Sequence, residues 1–283
     1  LACRPVPWLS FGIGLQALAN LGGSSTLHLD VVDKTFDSAS AEVDVPPSAG
    51  VVAGLQVSPA KGLQLGLSFR SSTSVSFQLP VDVYLGQAIS LSVGVAQTVL
   101  WSPHQIALGM TYRFAKVPLT LALDLTLSLW SGAPDPSPHL SIDIAGKAIA
   151  GLGLDEALDV STASEPIVLG FVNTLTPRVG VEWAPLKWLR VRGGYFFRPT
   201  PAPRQTASYA YLDNNAHVLG LGAGFIFRDP FKIGVGPVKL NLAVQATILS
   251  RRTILRSAPY DPIGDLSHGG ALWTFSTSVE YRY

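Results

Sequence analysis

Charge is scarce in this sequence: Asp, Glu, Lys and Arg make up 14% of its 283 residues, against roughly 25% in a soluble domain. The little charge there is nearly cancels, at +1, so no nucleic acid or other polyanion is expected as a partner. No run of apolar residues is long enough for a helix to cross a bilayer, which takes about 20 of them. Cys3 is the single cysteine, which excludes an intrachain disulfide. The histidines lack metal-ligand spacing. The alternating glycines at 220–224 lie inside a strand pattern and not ahead of a helix, so they make no nucleotide loop. No metal and no cofactor is expected. An export signal is expected to lie outside the stretch that starts at Leu1.

What remains is a chain with a mean hydropathy of +0.32 and no helix fit for lipid. Such a chain has one other way to live in a membrane, which is to satisfy every backbone group between strands and close the sheet. The residue pattern agrees. Over the last thirteen residues, Ala271, Trp273, Phe275, Thr277, Val279, Tyr281 and Tyr283 fall on one face, opposite Thr274, Ser276, Ser278, Glu280 and Arg282. In 117–130 the leucines at 119, 121, 123, 125, 127 and 129 oppose Thr120, Asp124, Thr126 and Ser128. Segments 62–79, 187–198 and 236–249 repeat the alternation, and weaker versions run at 8–19, 49–58, 104–114, 175–183 and 217–228. One face suits lipid and the other a wet lumen. A soluble sandwich also alternates, but it hides its apolar face in a core and exposes charge.

Ten strands follow from this count. Short connections at 58–61, 115–117, 184–187 and 229–236 alternate with long ones at 20–48, 80–97, 131–167, 200–214 and 250–270. Outer-membrane barrels have short periplasmic turns and long outer loops. The predicted fold is therefore an all-β, antiparallel transmembrane barrel, a single domain over 1–283, in the outer membrane of a Gram-negative bacterium. Pro103 interrupts one segment. It is read as the outer end of a long strand, where a missing donor is tolerated, with 86–96 in an outer hairpin extension. The start, CRPVPW, reads as an inter-strand turn.

Several segments resemble the long-chain fatty-acid transporter family, the FadL/TodX-type outer-membrane proteins. The longest is TPRVGVEWAPLKWLRVRGGYFFRPTPAPRQTASYAYLDNNAHVLGLGAGFIF, from Thr176 to Phe227. PWLSFGIGLQ at 7–16, VSPAKGLQLGLSFRSS at 57–72, HQIALGMTYRF at 104–114 and LTLALDLTLSLWS at 119–131 are similar to the family in order and spacing. The resemblance implies a fourteen-stranded barrel of which about ten strands are visible, with an N-terminal hatch and the first strands outside the stretch. It also implies passive uptake of hydrophobic compounds such as long-chain fatty acids. A general diffusion porin and a structural barrel scaffolding a surface complex are the alternatives.

Two groups of inward positions carry the candidate chemistry. Arg178, Glu182, Arg190 and Arg192 form a lumen charge network, with Glu182 expected opposite Arg190 across the hairpin. It either braces the barrel or attracts an anionic solute. Trp130, Phe196 and Arg198 lie near the outer rim. An apolar wall beside a guanidinium suits a fatty acid or a detergent; the plainer role is a girdle or loop packing. Glycines 220, 222 and 224 leave space on one inward face. In loop 131–167, Leu140, Ile142 and Ile144 extend a hairpin and 149–158 forms a short helix. The histidines are His28, His104, His139, His217 and His268. The local His–acid pairs, His28 with Asp30 and His217 with Asp213, have no spacing with catalytic meaning, so no enzyme is expected. The expected partners are the lipid bilayer and a hydrophobic small molecule.

Overall fold

The computed structural model describes residues 1–18, 21–27, 38–45, 48–85, 89–145, 160–163, 168–203, 212–230, 236–255 and 264–281. Alternation turns almost all of it into strand. In chain order these are β1 (Ala2–Val6), β2 (Leu9–Leu18), β3 (Leu21–Leu27), β4 (Ser38–Val45), β5 (Ser48–Ala60) and β6 (Leu63–Arg70). Then come β7 (Thr73–Leu85), β8 (Ile89–Ser102), β9 (Gln105–Arg113), β10 (Leu119–Ser128), β11 (His139–Ala145) and β12 (Val160–Ala163). The last are β13 (Thr174–Leu186), β14 (Leu189–Arg198), β15 (Ala216–Phe227), β16 (Val238–Ile254) and β17 (Leu266–Glu280).

Eleven strands form one antiparallel sheet in the order β1-β2-β5-β6-β9-β10-β13-β14-β15-β16-β17. This is the membrane wall, with one strand more than the sequence predicts. The segment read as a turn, Ala2–Val6, is a strand paired with β2, and the turn itself lies at Pro7 and Trp8. Pro5 falls within the register shift between Cys3 and Val6, a bulge position where proline is tolerated. Among the described residues no pairing joins β1 to β17.

The wall has no apolar interior. Phe275 is 77% exposed, Leu221 66% and Trp273 61%, all on one face by alternation. Thr126, Ser128, Thr174 and Thr176 are buried on the other. The accessible surface of 19243 Å² is well above the roughly 12,000 Å² of a soluble monomer of this mass. An apolar face of this extent is solvated by acyl chains. Strands of nine and ten residues, such as β9 and β10, are the length that a tilted strand needs to cross a bilayer. Trp8, Tyr112, Trp183, Trp188 and Phe227 mark one margin of the lipid-facing band, where exposed aromatic rings suit the interface.

Three segments expected as outer loops carry paired strands instead. A second sheet runs β12-β11-β8-β7-β4-β3. This order repeats that of β13, β10, β9, β6, β5 and β2, so six neighbouring strands of the wall continue outward into it. The handover is a polar seam. Pro103 has no N–H to give the ladder, and Ser71 and Ser72 break the facing strand. Side chains take over: the Val51 N–H donates to Ser71 Oγ (2.7 Å), the Ser72 N–H to His104 Nδ1 (3.0 Å) and the Ser74 N–H to Ser48 Oγ (3.2 Å). Gly50 is needed here, because a Cβ would stand 2.8 Å from Thr73 Cγ2, where β7 starts on the lumen side of β5. The segment expected as one long strand with Pro103 near its outer end is divided there into β8 and β9, which lie in different sheets, and its expected hairpin extension is described from Ile89 onward as part of β8. The segment read as one strand over 62–79 is divided at the seam. Leu140, Ile142 and Ile144 lie in β11, paired with β8. The helix expected at 149–158 lies outside the described residues, as do His28, Asp30 and Tyr283.

Candidate functional site

Register, set by turns and bulges, decides which inward residues meet. At the β13–β14 end the turn is the two-residue Lys187 and Trp188, with a register shift between Trp183 and Leu186. Glu182 therefore faces Arg192, where the sequence reading placed Arg190. Arg192 Nε donates to Glu182 Oε2 at 2.7 Å, and Arg190 Nη1 stands 3.9 Å from Glu182 Oε1. Arg192 Nη1 also donates to Asn241 Oδ1 at 3.2 Å. Gly224 leaves the space for this reach, since a Cβ there would stand 2.9 Å from Asn241 Oδ1. These pairs are a third to a half exposed, so each adds about 1 kcal/mol or less.

The fourth member of the predicted network does not join it. One row of inward positions runs Gly66, Gly109, Asp124, Arg178, Phe196, Val218 across six strands. Arg178 sits between its row neighbours. Its Nη1 is 3.4 Å from Asp124 Oδ1, and its guanidinium lies 5.6 Å from the centroid of the Phe196 ring, a cation–π contact. Arg178, read with the charge network, and Phe196, read with the ligand wall, thus form one unit.

Above this row lies a cavity of about 690 Å³. All three residues of the predicted ligand wall, Trp130, Phe196 and Arg198, line it, as do Arg70, Arg178 and Asp213. A second cavity of about 600 Å³ shares Asp124, Arg178 and Phe196 and continues past Gly180, Gly194 and Gly220. The two cavities therefore meet at this row. Trp130 is not on a strand; it opens a single 3₁₀ turn. From there it packs edge-on against Trp101 (5.8 Å) and Phe171 (6.2 Å), an aromatic cluster whose Trp130 lines the upper cavity.

The cations in this chamber differ in what they are free to do. Arg198, the predicted anchor, is engaged: its Nη2 is 3.4 Å from Asp213 Oδ1. Arg70, which sequence reasoning placed only on an inward face, has no hydrogen-bond or ion-pair partner among the described residues. Its height could not be read from the 62–79 pattern, because only the break at Ser71 and Ser72 makes it the outer end of a wall strand. Arg252 was missed for a different reason: it lies in a stretch expected as loop, where parity has no meaning. It donates to the carbonyls of Ala202 (2.9 Å), Asp213 (3.0 Å) and Pro203, and to Thr200 Oγ1 (3.5 Å). Asn214 Nδ2 donates to the carbonyls of Ser250 (2.8 Å) and His268 (3.1 Å). Arg252 thus clamps the proline-rich segment 199–203 onto the rim, and Asn214 ties the start of β15 to β16 and β17. Arg252→Ala is expected to release that segment at a local cost of about 1–2 kcal/mol. Limited proteolysis should show new cleavage at 199–203, with the barrel core still intact.

The pair His217 and Asp213 is not brought together. His217 lies on the outward face, with Nδ1 2.9 Å from Tyr195 Oη and its ring tilted against Phe197 at 4.9 Å, while Asp213 is bound to Arg198. No group of His, Cys, Asp and Glu fit to hold a metal occurs among the described residues.

The fold matches crystal structures of transport proteins. A Pseudomonas aeruginosa FadL homologue superposes with a TM-score of 0.60 at 17% identity, over 99% of this chain and 66% of that one. The fold is that of the FadL-type outer-membrane barrels. The Pseudomonas putida toluene transporter TodX superposes with a TM-score of 0.51 at 15% identity, over 100% of this chain and 67% of that one. By sequence, the chain is 24% identical to alkane uptake protein A of Marinobacter nauticus over 293 aligned positions, which cover 96% of this chain and 60% of the relative. The chain thus spans about three-fifths of the length of that curated relative. No protein-family model matches it. The FadL-type wall seen here presents the alternating apolar face that the sequence predicts, while its turns at Pro7–Trp8 and Lys187–Trp188 and its final strand, Leu266–Glu280, differ in bounds from those read from the sequence.

Proposed function

We propose that this FadL-type barrel is a passive channel for hydrophobic molecules, long-chain fatty acids among them, and that it carries no catalytic site. The observation behind this is the upper chamber. Its wall combines Trp130, backed by Trp101 and Phe171, and Phe196 with guanidinium groups, the combination that binds an apolar body with a polar end. Binding there is reversible and driven by the solute's own gradient. In this reading β1 and β17 meet further strands of a fourteen-stranded wall, because an unpaired strand edge in hydrocarbon costs several kcal/mol per group. The likeness to an alkane uptake protein and a toluene transporter agrees with apolar cargo.

The test is uptake by proteoliposomes holding the full-length protein. Labelled hexadecanoate should enter in a saturable way, faster than into protein-free vesicles. Steady ionic current in planar bilayers without that uptake would identify a general diffusion porin and sink the proposal.

A further inference from the structure

The upper sheet presents an apolar face with no function so far. Its rows are set by register: Val81 pairs with Val93 and Val93 with Ile142, while Leu79 pairs with Val95 and Val95 with Leu140. Phe77 and Val75 follow toward the seam on the same strand face. The opposite face is polar, with Ser76 Oγ 3.2 Å from Thr98 Oγ1 and Ser141 Oγ donating to the Gly94 carbonyl at 3.5 Å.

This apolar face continues the lipid-facing surface. Leu100, paired with Val75, is 64% exposed, while its neighbour Trp101 turns to the lumen against Trp130. Two pairs of residues further along, the His104 ring stacks on the lipid-facing Phe69 at 6.0 Å. From there the outward side passes into Ile106 and Leu108. The bilayer's own chains do not reach the upper rows. β9 crosses with nine residues and β8 adds fourteen more beyond a seam of serine and histidine. β7 also starts on the lumen side of the wall, away from the bilayer.

The composition of the face argues against a protein partner. It has valine, leucine and isoleucine with one phenylalanine. It lacks the Trp, Tyr and Arg anchors of protein interfaces, and it has few polar groups to fix a register. Its one amide near the seam, Gln97, is spent on the Pro136 carbonyl at 3.1 Å. A surface that is apolar, smooth and non-directional suits a liquid.

We propose that the outward face of the upper sheet docks a dispersed liquid hydrocarbon phase from outside the cell, holding a droplet surface beside the channel mouth. This rests on the reading of the barrel as a channel for apolar molecules, and the test separates the two. Outer-membrane vesicles carrying the full-length protein are mixed with hexadecane droplets, and the vesicles that float with the droplets are counted. A variant with Leu79, Val81, Val93 and Val95 each replaced by Thr keeps strand-forming residues but wets the face. Its droplet adhesion should fall about ten-fold or more, while uptake of dissolved toluene stays at the wild-type level. A control with Ser76→Thr and Ser92→Thr on the opposite face should adhere like the wild type. Adhesion that survives the fourfold change, or that falls equally in the control, would overturn the proposal. So would a wild-type dimer that the fourfold variant abolishes, because a second copy would then cover the face. Adhesion without toluene uptake in the wild type would instead remove the channel reading and leave the docking surface standing.

Discussion

Leu221→Arg is expected to destabilise the inserted barrel by about 2–4 kcal/mol, although Leu221 is 66% exposed. In a soluble protein an arginine at so open a position would be harmless. Here the side chain points from the middle of β15 into acyl chains, beside Ala223 and Leu242, and a guanidinium there must snorkel or draw water in. Gln245→Arg, one strand away on the inward face, should cost less than about 1 kcal/mol, because the lumen hydrates it. Reversible folding into bilayers with a denaturant series measures both. Equal costs would show that the two faces of the wall have been assigned wrongly. The comparison is demanding because both positions are open to solvent in the isolated chain. Only their face distinguishes them.

The second large effect concerns which cargo the upper chamber prefers. Arg178 and Arg198 are each held by a carboxylate at 3.4 Å, whereas Arg70 has none among the described residues. A cargo carboxylate would meet the fewest competing contacts at Arg70. A charge-assisted hydrogen bond of this kind contributes about 1.5–3 kcal/mol, so Arg70→Ala should slow entry of a long-chain carboxylate by about ten-fold or more. Entry of a neutral alkane should change less than about two-fold, since it has no head group to lose. Arg198→Ala should have the smaller effect on the acid, because its guanidinium is already paired. Paired uptake assays with hexadecanoate and hexadecane decide it. A larger loss in Arg198→Ala than in Arg70→Ala would return the anchor to Arg198.

The contrast between Arg70 and Arg198 shows where sequence reasoning reached its end. Both residues were legible as inward, because strand alternation is a local rule with a period of two. Which of them is occupied depends on Asp213, which lies beyond the proline-rich segment. No local pattern places that segment. The clamp that seats it, built on Arg252, bridges positions 49 to 52 residues apart. The same holds for Glu182. Its inward direction was legible, but its partner was not, because one bulge and a two-residue turn shift the register to Arg192. Of the second sheet, parts of β7, β8 and β11 were legible as strand or hairpin extension, but their pairing into one sheet was not, because its order comes from the wall beneath them.

The sequence by itself determined the medium. Scarce charge, no spanning helix and alternating apolar positions leave a membrane barrel as the state that satisfies every backbone group. It also determined which residues face lipid and which face the lumen, since one-residue shifts would put every leucine of β10 on the wrong side. The tertiary structure alone decided which lumen residues touch. Arg178 lies between Asp124 and Phe196, Trp130 lies against Trp101 and Phe171, and six strands of the wall carry on past a polar seam. Those contacts join residues from separate strands and loops, and they exist only once pairing fixes the strands against one another.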